Sequence, residues 1–177
     1  ATLSNWNSIP GGGGSTPPNF TNNNQAFIIQ NGHTMTTTGT AWTVSGANTK
    51  VEIQSGGTLT ETTSSVSFSP STLFQIDDGG TLNHNVNSNT IFGGTLSLGN
   101  TSTVNYGYAG TQTVFATTYG NLTISGSGTK TLGGTSTVGG TLTLTSGTLA
   151  VAGNALTLKG PSIAGTTKHP PPHDSTT

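Results

Sequence analysis

The strongest constraint on this chain is a unit that recurs about every 23 residues: a short strand, a glycine-containing turn, then Thr-Leu or a close equivalent. The first copy reads Phe27-Ile28-Ile29-Gln30-Asn31-Gly32-His33-Thr34-Met35. The second reads Val51-Glu52-Ile53-Gln54-Ser55-Gly56-Gly57-Thr58-Leu59, and the third Phe74-Gln75-Ile76-Asp77-Asp78-Gly79-Gly80-Thr81-Leu82. A fixed period of this size marks stacked repeats, because one such unit is too small to bury its own apolar face.

The last apolar residue before each turn gives the series Ile29, Ile53, Ile76, Leu98, Ile124 and Leu144, with a mean step of 23. Individual steps range from 20 to 26, so turn insertions are expected. A second register, Gly-Gly-Thr-Leu starting at Gly93 and Gly139, is spaced by 46, or two periods, as two related turns per coil would produce. Within units the side chains alternate, as in Leu122-Thr123-Ile124 and Leu142-Thr143-Leu144. That places Leu and Ile on one face of a strand and Thr on the other. No segment has helical spacing with caps.

Two all-β folds fit this pattern. An immunoglobulin-like β-sandwich links alternating strands by hairpins. A single-stranded parallel β-helix, or β-solenoid, sets each coil above the last at about 4.8 Å, so equivalent positions stack. Only the solenoid gives a reason for Ile to recur over Ile and Gly-Gly over Gly-Gly. The expectation is about six coils of roughly 23 residues over residues 25–160, a rod about 30 Å long.

Composition narrows the function. Only 29% of residues are hydrophobic and 5% are charged, yet the chain is rich in Thr, Val and Ile, unlike a charged disordered segment. Four lysines, no arginine and a net charge of -1 argue against nucleic acid, whose phosphates need cationic partners. No apolar run approaches the roughly 20 residues of a membrane span. Without cysteine there is neither disulfide nor thiolate metal site. Long, weakly charged Thr/Gly/Ser/Asn repeats fit an exported protein, expected here in mature or excised form because no signal peptide is visible at Ala1.

Residues 1–24 read as an N-terminal arm or cap. Trp6 and Ile9 stand before four consecutive glycines, Gly11 to Gly14, whose backbone entropy disfavours a regular strand. Residues 161–177 read as a Pro-rich tail, with Pro170, Pro171 and Pro172 in an extended stretch. Neither segment belongs to a coil, so both are candidate joints between subunits.

Residues 25–160 also resemble a known group. Phe27-Ile28-Ile29-Gln30-Asn31-Gly32-His33-Thr34-Met35-Thr36 is similar to the opening of repetitive secreted proteins of Bacteroidetes-type bacteria. Asn121-Leu122-Thr123-Ile124-Ser125-Gly126-Ser127-Gly128-Thr129-Lys130-Thr131-Leu132 resembles their repeats, as does Gly140-Thr141-Leu142-Thr143-Leu144-Thr145-Ser146-Gly147-Thr148-Leu149. The resemblance implies a surface adhesin or filament component and names no ligand. Members carry a C-terminal sorting domain that is not evident here, which implies a fragment or processed form.

Residues able to carry chemistry are few. Asp77 and Asp78 form a weak metal-site candidate through carboxylate oxygens, but coil alignment sets them over Gln54 and Ser55, and Asp before Gly-Gly is ordinary turn chemistry. Glu52 and Glu61 are too far apart in sequence to assign to one site. Sugar lyases of parallel β-helix fold need Arg or Lys as base, and Arg is lacking, so no enzyme, no catalytic residue and no cofactor is expected. His33 reads as an exposed turn residue and His84 as a strand-face residue, while His169 and His173 alone make a weak metal site. Tyr106, Tyr108 and Tyr119 are glycan-contact candidates, against the simpler reading that they fill wide coils. The Thr-x-Thr rows would need the same face in every coil to match an ice lattice, and Thr81/Asn83 breaks them.

Sequence alone therefore leads to a non-enzymatic extracellular rod, a filament subunit or adhesin segment. Its expected partner is itself, head to tail, through an exposed end coil. A polysaccharide-binding module, with glycans as partner, is the alternative.

Overall fold

The computed structural model describes residues 6, 15, 18–39, 42–63, 65–87, 94–160 and 162–165. Among them are nineteen short strands and no helix. The first coil holds β1 (Ala26–Ile29), β2 (Thr34–Thr37) and β3 (Trp42–Val44); the second β4 (Lys50–Ile53), β5 (Thr58–Glu61) and β6 (Val66–Phe68). The third holds β7 (Leu73–Ile76) and β8 (Thr81–His84), the fourth β9 (Thr95–Leu98), β10 (Thr103–Tyr106) and β11 (Gln112–Val114). The fifth holds β12 (Thr118–Tyr119), β13 (Asn121–Ile124) and β14 (Thr129–Leu132), the sixth β15 (Ser136–Val138), β16 (Leu142–Leu144) and β17 (Thr148–Ala150). β18 (Leu156–Leu158) and β19 (Ile163–Gly165) begin a further turn.

Every strand pairing among the described residues is parallel, so the molecule is a β-solenoid and not a sandwich of hairpins. Each full coil supplies one strand to each of three faces. The second face is one seven-stranded sheet, β2-β5-β8-β10-β13-β16-β19. The first face is β1-β4-β7-β9, continued by β12-β15-β18, and the third-face strands form two sheets, β3-β6 and β11-β14-β17. On the first face the continuation is tight: a Cβ placed on Gly120 would sit 2.5 Å from the Gly99 carbonyl oxygen.

The corner between the first two faces explains the Gly signature. Gly32, Gly56 and Gly79 hold φ of 74°, 74° and 78°, the left-handed value that the third residue of a type II turn requires. The next residue donates back across each turn, His33 N to Gln30 O at 3.1 Å and Gly57 N to Gln54 O at 2.8 Å. A side chain at Gly57 would run into the Ile29 carbonyl below it, at 2.5 Å. His33 occupies the same corner of the first coil, where no earlier β1-type strand lies beneath among the described residues, and it is exposed as expected.

The register differs from the sequence expectation in one respect. Ile29, Ile53, Ile76 and Leu98 stack on the first face. Ile124 and Leu144 belong to the second face, where Ile124 stacks on Tyr106. The long step from Leu98 to Ile124 is thus a change of face, not a turn insertion. The two Gly-Gly-Thr-Leu copies likewise lead into different faces, Leu96 pairing with Phe74 and Leu142 with Leu122. On the second face the stacked positions are Met35, Leu59, Leu82, Val104, Leu122, Leu142 and Ile163. Coil-to-coil bonds span sequence separations of 24, 23 and 22 in the early part of this stack, and of 18, 20 and 21 in the late part. The shortest coil, from Val104 to Leu122, contains β12, a strand of only two residues.

The interior changes with coil length. Phe27, Trp42, Phe68 and Phe74 fill the long early coils, with Phe68 stacked on Phe74 at 4.8 Å, whereas Leu122, Ile124, Leu132 and Val138 fill the shorter late ones. At the start, residues 20–25 already lie along the coil, through Asn24 N to Ala47 O and Lys50 N to Gln25 O, both 2.8 Å. At the other end, β19 falls inside the segment expected to be tail and pairs with β16.

Candidate functional site

The polar residues that sequence reading weighed as chemical groups are tied into the coils. Gln75 Nε2 donates to Asp77 Oδ1 at 2.6 Å, and Asp78 Oδ1 accepts the Thr101 N–H of the next coil at 2.9 Å. Asn121 makes the same kind of link further along, its Oδ1 accepting the Thr141 N–H at 2.9 Å. The Asp78 and Asn121 bonds are corner ties between coils, and the Asp77 bond lies within its own coil. Among the described residues no group of three His, Asp or Glu side chains gathers where a metal could bind. Lys50 pairs with Glu52 at 2.5 Å on the same strand.

The inward row of the second face holds the polar cluster that sequence reading missed. Thr37, Glu61, His84 and Tyr106 stack in successive coils and are all buried. Glu61 is 1% exposed and His84 0%. Glu61 Oε1 accepts the Val66 N–H at 2.6 Å, and Oε2 is bonded to His84 Nδ1. Two bonds to one carboxylate supply the compensation that a buried acid needs. The Tyr106 ring meets the imidazole edge-on, with centroids 5.7 Å apart. The pairing was readable from parity, because Glu61 and His84 each follow a buried Leu by two positions and lie one coil apart.

From Tyr106 the bonds continue inward. The Tyr106 hydroxyl accepts the Phe115 N–H at 2.9 Å, and the Tyr119 hydroxyl donates to the Phe115 carbonyl at 2.6 Å. With the Tyr119 proton so used, the 3.0 Å contact between the two hydroxyls must have Tyr106 as donor. Burial pushes the Tyr106 phenol up to about 12, and raises Tyr119 well above its ordinary value, because a phenolate here would lose its hydration.

Two further buried side chains clamp the loops that lead to the third face. Gln112 Nε2 donates to the carbonyls of His84 and Val86, both at 2.9 Å. One coil later Lys130, in register with Gln112, donates to Tyr108 O, Gly110 O and Ser127 O at 2.6 to 2.7 Å. Three ammonium protons meet three carbonyls, so the charge is fully hydrogen-bonded, while loss of water lowers its pKa.

The tyrosine expectation is corrected here. Tyr106 is 0% and Tyr119 1% exposed, and their rings fill the coil interior, so neither can stack on a sugar. They lie inside because Tyr106 shares the inward parity of Val104, and Tyr119 stacks under Val138. Tyr108 alone is partly exposed. The outward columns of the second face read Thr34, Thr58, Thr81, Thr103, Asn121 and Thr36, Thr60, Asn83, Asn105, Thr123, Thr143. The Asn pair breaks the threonine order and is bonded along the column, Asn83 to Thr60 and Asn105 to Asn83, each at 3.2 Å.

The ends of the rod differ more than its faces. Trp6 packs on Trp42 at 5.2 Å and edge-on to Phe27 at 5.3 Å, and Phe20 completes the cluster, 5.1 Å from Phe27 and 5.3 Å from Trp42. Trp6 therefore lies over the interior of the first coil of its own chain. At the far end Leu158 is 41% and Ile163 63% exposed. Ile9, Pro170, Pro171 and Pro172 lie outside the described residues.

Comparison with protein-family models, with curated proteins and with solved structures gives no match for this chain.

Proposed function

We propose that this chain is a non-enzymatic extracellular structural rod, a segment of a cell-surface adhesin or a subunit of an extracellular filament. The observation that carries this reading is where its reactive side chains go. Glu61, His84, Tyr106, Tyr119 and Lys130 are all buried and joined to neighbouring coils, where a substrate has no route to them. The bonds run from coil to coil along the rod axis, so these groups hold the stack together. The likeness of residues 25–160 to repeats of secreted bacterial surface proteins points the same way. Growth of a filament head to tail further requires Trp6 to leave the first coil, since that end is covered. The polysaccharide-binding alternative loses most of its support with the burial of Tyr106 and Tyr119.

The test is location and form together. Gold-labelled antibody against the chain, applied to intact cells of its source, should decorate the surface or surface fibres. Label found only after the cells are opened would overturn the reading.

A further inference from the structure

Among the described residues, the last coil presents to solvent what every internal coil presents to its successor. β17, β18 and β19 each end their sheets among the described residues, so one edge of each has no strand beside it. Leu149 and Leu156 are only partly buried, and Leu158 and Ile163 are exposed, although their counterparts Val138 and Leu142 one coil earlier are covered. Such a surface takes another β-edge with an apolar inward row.

Three suppliers of that edge can be compared. Residues 166–177 follow β19 directly but contain no Leu, Ile, Val, Phe or Met, and their three successive prolines have no N–H to give a ladder. The first coil of a second copy has matching strands, but Trp6 and Phe20 lie over its interior. The last coil of a second copy has Leu158 and Ile163 exposed, with nothing over them among the described residues, and residues 139–165 carry a single charge, Lys159, and no acid.

We infer that the C-terminal coil is a self-association surface whose partner is the C-terminal coil of a second copy, two rods meeting tail to tail about a twofold axis. Such a contact uses the same patch on both copies, so it closes at two and does not propagate. Facing edges then run antiparallel, a pairing at least as stable as the parallel one inside each rod. The inference rests on the rod reading for its setting, but the two fail separately, since cell location does not depend on dimerisation.

The experiment is sedimentation of the full chain over a wide concentration range. A monomer–dimer equilibrium is expected, with no larger species. Ile163→Lys should raise the dimer dissociation constant about tenfold or more, and adding Leu158→Lys should abolish the dimer. Because Ile163 is largely exposed in the single rod, Ile163→Lys should keep the wild-type circular dichroism and melting curve. Ser162→Cys, the only cysteine in such a chain, should link to itself through a short bismaleimide. A monomer at every concentration overturns the proposal, as does a dimer indifferent to Ile163→Lys. Open-ended oligomers without Ser162→Cys self-linking would assign head-to-tail stacking instead. A monomer that dimerises only after removal of residues 166–177 would show that the chain's own tail covers the coil.

Discussion

The early and late coils of this rod solve one packing problem with different means. The longer coils before Val104 enclose Trp42, Phe27, Phe68 and Phe74, sealed at the outer end by Trp6 and Phe20. The shorter coils after it enclose Leu, Ile and Val, and at their outer end Leu158 and Ile163 stand exposed. A polar column runs from Glu61 in the second coil to Tyr119 in the fifth, across the point where the coil shortens. Bulk and perimeter go together: a wide loop of chain needs large rings to fill it, and a narrow one is filled by branched aliphatic side chains. The polar groups bridge the two, with Glu61 and His84 in the longer coils and Tyr119 in the short one.

That comparison can be broken most severely in the polar column. Glu61→Ala leaves His84 and the Val66 N–H without their buried partner and should cost about 3–5 kcal/mol, read by urea denaturation. Replacing both partners, Glu61→Leu with His84→Leu, should recover most of that loss. A double variant no more stable than Glu61→Ala would show that the pair is not the cause.

Alkaline titration gives the next effect. Tyr106 ionises in the unfolded chain near 10 but in the folded chain only at about 12, so folding favours the neutral phenol. Stability from this group is fully present below about pH 10 and lost as the pH rises toward 12, by on the order of 1 kcal/mol per pH unit. Melting curves taken across that range should fall, and Tyr106→Phe should flatten the fall at the cost of about 1–3 kcal/mol at neutral pH. An unchanged slope in Tyr106→Phe would locate the alkaline loss elsewhere.

The smallest effect belongs to the open end. Leu158→Ala removes a side chain already 41% exposed, so the isolated rod should lose less than about 1 kcal/mol. A loss as large as that of Glu61→Ala would mean that the end is covered in solution.

Sequence reading reached the fold because stacking repeats the same requirement in each coil. Gly56 and Gly79 are needed for the same turn, and Leu59 and Leu82 for the same interior row. It failed where one coil departs from its neighbours. The short coil between Val104 and Leu122 could not be seen, because Ile124 on the second face looks like the successor of Leu98 on the first. Sequence reading weighed Glu61 only against Glu52 and His84 only as a strand-face residue. Glu61 and His84 are unlike residues in adjacent rungs, so a search for repetition passes over them, while parity with Leu59 and Leu82 finds them. Lys130 shares the parity of Leu132 in the same way, but its three carbonyl partners come from loops whose path no pattern specifies.

The aromatic seal also has a bearing on time. In a stack where each coil touches only its neighbours, structure can begin in one place and spread. Beginning is cheapest where the most apolar area is covered by the fewest ordered residues, and Trp6, Phe20, Phe27 and Trp42 make that place the N-terminal end. Each finished coil then offers a ready edge about 20 residues of chain away, a short loop to close. The rod has a starting point and a growing front, and the front is where Leu158 and Ile163 stand.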